Sequence, residues 1–150
     1  MIIFGIDPGQ TGAISLFQGT NARVMDLPVI EKRLDAVMLA SLLVADGRMA
    51  FIEKSHAMPG QGVTSTFNYG VIFGAILATL QIAKVPYTTI SAAAWKKAMK
   101  VPGGKENKDA ARLRALELWP WLGDDLRRKK DHNRAEALLI GEYGRRSGAL

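Results

Sequence analysis

The chain has 150 residues, of which 48% are hydrophobic and 23% charged, so it is long enough for one hydrophobic core and too short for two ordinary domains. It contains no cysteine, which excludes disulfides and thiolate metal sites. The formal net charge is +6. We therefore expect a single domain over residues 1–150, rich in positive charge.

The positive charge is concentrated in one part of the chain. Residues 96–134 hold 12 Lys and Arg against 6 Asp and Glu, whereas the rest of the chain holds 8 of each kind. Because Lys and Arg that neutralise phosphates release condensed counterions, this concentration indicates a polyanionic partner such as a nucleic acid. The alternative is a basic face that only contacts solvent.

We expect neither a targeting signal nor a membrane-spanning segment. The apolar N-terminus has no basic flank and reaches a charge at Asp7, and no later window approaches 18 uninterrupted apolar residues. With no cysteine in the chain, these features favour a cytoplasmic protein of a reducing, bacterial cell interior.

The first part of the chain predicts an antiparallel meander followed by a helix. A short β-branched run over residues 2–6 leads into a turn at 8–12 that is dense in Pro and Gly. Two further strands are predicted at 13–17 and 23–27. The helix is predicted at 33–45.

The second part alternates strands and helices. An apolar strand over 49–52 ends at Glu53, and a loop rich in Gly and Pro covers 55–66. Later elements are predicted as helix 67–83, strand 86–90, and helices 92–99, 107–118 and 133–146, with a polar, basic stretch at 123–132. A meander followed by alternation predicts a mixed α/β sheet covered by helices rather than a purely parallel sheet.

Four acids are the candidate catalytic and metal-binding residues. Asp7 and Glu53 end two predicted strands, and Asp131 and Glu136 lie near the start of the last helix. Clustered buried carboxylates repel each other and are tolerated chiefly when a divalent cation lies among them, and oxygen ligands favour Mg²⁺ or Mn²⁺. The alternative is that Asp7 caps the turn after it and that Glu53 pairs with Lys54.

The start of the last helix decides which side chains join Glu136. His132 precedes Glu136 by four residues and shares its face, whereas Asp131 precedes it by five and can join only from outside the helix. If Asn133 is the N-cap, Asp131 lies in the preceding loop and can turn inward. His132 is then a rival ligand or a proton-transfer group, or it contacts phosphate or solvent.

Three segments that contain these acids read as motifs: Phe4-Gly5-Ile6-Asp7-Pro8-Gly9, Phe51-Ile52-Glu53-Lys54 and Asp131-His132-Asn133-Arg134-Ala135-Glu136-Ala137-Leu138. In their order and spacing they resemble the motifs of the RuvC-type Holliday junction resolvases, of the ribonuclease-H-like superfamily. Segments 57–63, 95–97 and 108–112 resemble the compact phage members. The resemblance spans essentially the whole chain.

The resemblance implies a ribonuclease-H-like mixed sheet, a homodimer, and endonucleolytic cleavage of four-way DNA junctions with two Mg²⁺ per active site. It also implies that Asp7 bridges the metals and that Glu53 and Glu136 hold one each. In the bacterial resolvases the last two acidic positions are commonly three residues apart, but Asn133 stands three residues before Glu136 here. The fourth position is therefore open between Asp131 and His132, with His132 in a supporting role if the carboxylate is the ligand.

Eleven basic residues are candidates for contact with the DNA backbone: Lys96, Lys97, Lys100, Lys105, Lys108, Arg112, Arg127, Arg128, Lys129, Lys130 and Arg134. Met58, Phe67 and Tyr69 are candidates for insertion at an opened junction, with core packing as the alternative for the two aromatic residues. Gly70 and Gly74 share one helix face and permit close helix approach, either in a dimer or within the chain.

Two other classes remain to be weighed. The turn Gly5-Ile6-Asp7-Pro8-Gly9 is also typical of sugar kinases and actin-like ATPases, but those enzymes need two facing domains, and the chain has no P-loop motif. We therefore expect no nucleotide cofactor. A nonenzymatic nucleic-acid-binding module would explain the basic segment but leaves the four acids without a role.

Overall fold

In a computed structural model, residues 1–44, 46, 48–54, 56–57 and 59–147 are described. The strands are β1 (Ile2–Asp7), β2 (Ala13–Gln18), β3 (Asn21–Asp26), the two short strands β4 (Val29–Ile30) and β5 (Arg33–Leu34), β6 (Arg48–Lys54) and β7 (Tyr87–Ser91). Five of them form the main sheet in the order β3-β2-β1-β6-β7, and β4 and β5 form a separate two-stranded sheet. The first three form the antiparallel meander, and β6 and β7 are added in parallel, which confirms the predicted mixed sheet.

The helices cover both faces of the sheet. They are α1 (Ala36–Leu42), α2 (Val63–Ile82), α3 (Ala92–Met99), α4 (Ala110–Leu118) and α5 (His132–Arg146). One core joins α3, α4 and α5 to the face of the sheet that carries Ile3 and Phe51. The other joins α1 and α2 to the face that carries Phe4 and Ile52. Each strand thus buries alternate residues on opposite faces.

Parallel pairing brings the first two candidate acids to one edge of the sheet. Ile6 of β1 lies opposite Ile52 of β6, so Asp7 and Glu53 leave neighbouring strands at the same end. The carboxyl ends of parallel strands lie at the same end of the sheet. The register of β1 and β6 follows from their matching apolar runs.

Helix α5 packs unusually close to the sheet. A Cβ atom at Gly5 would lie 2.2 Å from the Ala137 carbonyl oxygen, so only glycine fits there. The Ser15 hydroxyl donates to the same carbonyl at 2.7 Å. This contact fixes the first turns of α5 over β1 and carries Glu136 to the end of β1.

Several predicted element bounds are wrong. Helix α1 begins only at Ala36, because Arg33–Leu34 pairs with Val29–Ile30 and Asp35 caps the helix by accepting from the Met38 N–H. Helix α2 begins at Val63, inside the predicted loop. A 3-10 helix at Lys105–Asn107 precedes α4, which begins at Ala110 rather than 107.

Helix α2 is the one helix among the described residues that is long and apolar enough, by those two criteria, to cross a membrane. Ile72, Ile76 and Leu80 are buried in the core, as in a core helix of a globular domain. Its other face is exposed, and Val63 and Phe67 lie on it.

Candidate active site

Three of the four predicted acids converge at the carboxyl ends of β1 and β6. Asp7 is only 7% exposed. Burial is the largest cause that raises the pKa of the Asp7 carboxyl well above its ordinary value. The negative charges of Glu136 and Glu53 raise this pKa further, whereas the Lys96 ammonium opposes them. The three acids therefore lie within electrostatic reach of one another.

Glu136 comes to this group from the second turn of α5. Burial is the main cause that raises its pKa, and the Glu53 charge adds to the effect. The Lys96 ammonium lies 3.8 Å from Oε1 of Glu136 and lowers the same pKa, but the net shift remains upward. One lysine thus compensates only part of the negative charge of the cluster.

Glu53 has a different partner. The Trp95 indole N–H donates to Oε2 of Glu53 at 2.6 Å. Trp95 is completely buried in α3, and its ring lies 5.3 Å from Nζ of Lys96. Neighbouring residues of one helix therefore contact two different acids of the site.

The residues suit a divalent cation by their chemistry. Asp7, Glu53 and Glu136 offer oxygen ligands, and burial, with repulsion among the carboxylates, raises the pKa values of Asp7 and Glu136, a cost that a bound cation would offset. Their side chains are not gathered into a ready metal cage: within the described residues, no three His, Cys, Asp or Glu side chains stand close enough to hold an ion. A bound cation would have to draw these carboxylates together.

The structure does not bring Asp131 to the other acids, although it precedes α5 as expected. Asp131 ends a 3-10 helix, Lys129–Asp131, and is buried. Its carboxylate accepts from the backbone N–H, Nε and Nη2 of Arg128. These hydrogen bonds, those of the Arg128 side chain first, lower the pKa of Asp131 to about 2. Asp131 is an ion-paired structural acid in this arrangement.

Helix α5 begins at His132, one residue earlier than predicted, so the alternative in which Asn133 is the N-cap does not hold. The Asn133 side-chain amide donates to the Thr11 carbonyl at 2.7 Å and to the Thr11 hydroxyl at 2.9 Å. His132 is exposed, and its charge lowers the pKa of Glu136. Of the two candidates for the fourth position, His132 is the one that faces Glu136.

A cleft of ≈ 750 Å³ opens beside the acids, between the segment after α3 and the start of α5. Four predicted DNA-contacting lysines line it together with His132 and Glu136: Lys96, Lys108, Lys129 and Lys130. Glu106 and Asp109 also line the cleft, so its wall carries four lysines and His132 against three acids, and of the clustered acids it is Glu136 that lines it. A phosphate chain in this cleft would pass Glu136.

Three arginines of the predicted DNA-contacting set have ion-pair partners in the fold. Arg112 donates to Asp109 at 2.7 and 2.6 Å. Arg134 donates to both carboxylate oxygens of Asp26, and Arg128 holds Asp131. The remaining predicted contacts are exposed but do not line the cleft: Lys97, Lys100, Lys105 and Arg127.

The residues proposed for junction insertion have different surroundings. Phe67 is 70% exposed on α2, so core packing does not account for it. The Tyr69 ring is half-buried and stacks on Phe73 with centroids 6.1 Å apart. Gly70 and Gly74 lie on the exposed part of α2, with open space where a Cβ would stand. Met58 lies outside the described residues.

Sequence reasoning missed the contact of Trp95 with Glu53 and assigned Lys96 only to DNA contact. Trp95 entered only as part of a segment that resembles the phage resolvases. No local sequence pattern predicts a hydrogen bond between residues 42 positions apart. The one available signal is the adjacency of a large aromatic residue to a lysine at the start of a helix.

No protein-family model matches the chain, and no curated protein matches it. Among solved structures, it is similar to Thermus thermophilus RuvC in complex with a Holliday junction substrate, with a TM-score of 0.64 and 16% identity over 99% of this chain and 97% of that chain. It is also similar to another Thermus thermophilus RuvC structure, with a TM-score of 0.58, 17% identity and the same coverage. The ribonuclease-H-like fold is thereby confirmed.

Proposed function

We propose that this chain, which has the RuvC fold, is an endonuclease that hydrolyses phosphodiester bonds in branched DNA, with four-way junctions as its main substrate. The observation that carries the proposal is the electrostatic proximity of Asp7, Glu53 and Glu136, the last of which lines a cleft together with four lysines. The similar RuvC structure was solved with a Holliday junction substrate, which supports this class of substrate.

In the proposed reaction, Asp7, Glu53 and Glu136 would hold Mg²⁺, or Mn²⁺ in its place, two ions per site. When bound, such ions supply an ionised water nucleophile and stabilise the leaving oxygen. Asp7 itself is shielded from bulk water. Lys96 adds a positive charge beside Glu136 that can contact a nonbridging phosphate oxygen.

His132 has a supporting role in this proposal. It lies in the wall of the cleft on the same side of α5 as Glu136. An imidazole there can orient the phosphate or return a proton to the leaving oxygen, because it is within one helical turn of the acid site. Lys108, Lys129 and Lys130 hold the DNA backbone along the cleft without reading its sequence.

We further propose that the protein acts as a homodimer through the exposed face of α2. Val63, Phe67 and Ile82 are 86%, 70% and 81% exposed on this face, although they are apolar. The open surface at Gly70 and Gly74 allows a second copy to approach closely. A two-fold dimer presents two active sites to a symmetric junction, as paired cleavage needs. We propose as well that the protein acts in the interior of a bacterial cell and is encoded by a phage.

The decisive experiment is a cleavage panel at one salt concentration. Purified protein is incubated with four-way, three-way, flap and linear duplex DNA, in Mg²⁺ and in EDTA. We expect cleavage of branched substrates in Mg²⁺ alone, fastest on the four-way junction. Equal rates on linear duplex would contradict the structure selectivity, and no cleavage of any substrate would contradict the nuclease function.

A nonenzymatic junction-binding protein is the second candidate. The contact between Lys96 and Glu136 and the lack of a ready metal cage among the described residues favour it. In that case Asp7→Asn would bind junctions as the wild type does, and neither protein would cleave. A Mg²⁺-dependent product with the wild type alone excludes this candidate.

A further inference from the structure

We infer that Trp95 is a positioning residue for the reaction proposed above: its indole N–H holds one oxygen of the Glu53 carboxylate and leaves the other for the active site. This role rests on the proposed nuclease function. It differs from a core-packing role because it acts through one hydrogen bond to one acid.

The contact has the features of a strong, fixed hydrogen bond. The donor and acceptor atoms are 2.6 Å apart, at the short end for a charge-assisted N–H to carboxylate bond. Trp95 is 0% exposed, so its ring has no freedom to leave the site without opening the core. Glu53 lies opposite Ile90 in the parallel ladder, and α3 begins directly after β7. Adjacent rigid elements therefore carry the donor and the acceptor.

The chemistry of indole suits this task. Indole is a donor only and carries no charge, so it can orient a carboxylate without neutralising it. The contrast is Asp131, whose guanidinium partner at Arg128 lowers its pKa to about 2 and occupies both oxygens. An arginine in place of Trp95 would compete with any cation for Glu53, whereas an indole leaves its negative charge in the site.

Trp95 also lies beside the ammonium group of Lys96. Nζ of Lys96 is 5.3 Å from the centre of the Trp95 ring, within the range of a cation–π contact. The same ammonium is 3.8 Å from Glu136. The indole therefore contacts Glu53 through its edge and lies close to the partner of Glu136 through its face.

The first arm of the test observes the hydrogen bond directly in metal-free protein. The chain has three tryptophans, so a ¹⁵N-labelled sample gives three indole N–H resonances. Trp119→Phe and Trp121→Phe identify the Trp95 resonance by elimination, so this arm does not need Trp95→Phe to fold. We expect the Trp95 proton downfield of the other two and an upfield shift in Glu53→Gln, because a neutral acceptor forms a weaker bond.

The second arm measures single-turnover cleavage and junction affinity. Trp95→Phe keeps a large aromatic ring and removes the donor, so we expect the rate to fall about tenfold with the Kd for junction DNA within about twofold of wild type. Trp119→Phe is the matched control, because Trp119 is buried in the same core but contacts the Phe17 ring instead of an acid. We expect its rate to stay within about twofold of wild type.

The outcomes separate this inference from the proposed function. A Trp95 resonance that Glu53→Gln leaves unchanged, or equal rates for Trp95→Phe and Trp119→Phe, would overturn the positioning role while cleavage by the wild type continues. A wild-type protein that cleaves nothing would overturn the proposed function and the role with it. In that case a resonance that responds to Glu53→Gln would still establish the contact itself.

Discussion

Two groups of acids lie on either side of the start of α5, and their electrostatic surroundings are opposite. On one side, burial and mutual repulsion raise the pKa values of Asp7 and Glu136. On the other, hydrogen bonds from Arg134 lower the pKa of Asp26, and those from Arg128 lower the pKa of Asp131. Asp131 and Glu136 are separated by little more than one turn of chain.

This difference in pKa shifts separates acids that stabilise the fold from acids that reduce its stability. An ion-paired acid such as Asp131 adds stability at neutral pH, whereas a buried acid without full compensation subtracts from it. Proteins retain such costly groups chiefly at functional sites. The comparison therefore points to Asp7 and Glu136 rather than to Asp131 as the residues with a chemical role.

The substitution Asp7→Asn tests the acids whose negative charge is only partly compensated, and it has the largest expected effect. We expect cleavage to fall by more than about 100-fold, because the loss of a central metal ligand removes several kcal/mol of transition-state stabilisation. Junction affinity should stay near wild type. In EDTA at pH 7 the free energy of unfolding should be equal or higher, because the variant removes a buried charge. Single-turnover cleavage, DNA titration and urea unfolding measure the three quantities.

Asp124→Asn is the control for this prediction, since it makes the same chemical change at an exposed position. It should alter neither rate nor stability. Retention of more than a few per cent of the wild-type rate in Asp7→Asn would remove Asp7 from the active site and dissolve the distinction between the two groups.

The pair Asp131→Asn and His132→Ala sharpens the comparison at adjacent positions. We expect Asp131→Asn to lower the free energy of unfolding by about 2 kcal/mol, since its amide nitrogen would face the Arg128 guanidinium, while most of the cleavage rate remains at low temperature. His132→Ala should keep the stability and lower the rate by about tenfold. An inactive, stable Asp131→Asn would show that this carboxylate leaves Arg128 to join the site.

The stability that the ion pair between Asp131 and Arg128 contributes has a defined pH dependence. The pKa of Asp131 is lowered in the fold, so its contribution is present above the unfolded value of 3.8 and is lost as the pH falls toward about 2. The difference in free energy of unfolding between wild type and Asp131→Asn should therefore shrink between pH 5 and pH 2. Urea unfolding of both proteins at pH 5, 4 and 3 measures it. A constant difference would mean that the ion pair contributes nothing.

Much of the fold could be predicted from local patterns. Apolar runs at β1 and β6, each ending at an acid, fix the shared edge of the sheet, and the bounds of α3 agree with prediction. The start of α5 could not be placed, because Asp131 and Asn133 are both good N-cap residues. Their actual partners, Arg128 and Thr11, are chosen by tertiary contacts that a helical pattern does not reveal.

The site was predictable to the extent that residues end strands or share a helix face. Asp7, Glu53 and Glu136 meet these conditions. The ion pair of Asp131 was not predicted because its partner, Arg128, was itself assigned to DNA. A local i, i+3 pair of opposite charges can be satisfied within its own turn, and burial decides which role prevails. Trp95 was missed because its partner is distant in sequence.

The smallest expected effect concerns the cleft that Glu136 lines. Lys129 and Lys130 line it, whereas Arg23 and Lys84 are exposed elsewhere. We expect Lys129→Ala/Lys130→Ala to weaken junction binding several-fold and to reduce the slope of log affinity against log salt by about 0.9 for each lost phosphate contact. Cleavage at saturating protein should remain close to wild type, because neither lysine touches the acids.

Arg23→Ala/Lys84→Gly removes the same charge outside the cleft, and glycine suits the positive φ of 54° at position 84. If both double variants change the slope equally, the effect is one of net charge and the cleft is not the path of the DNA. If only the first does, the basic wall guides the backbone past Glu136, and the uncompensated acids lie where the scissile phosphate arrives.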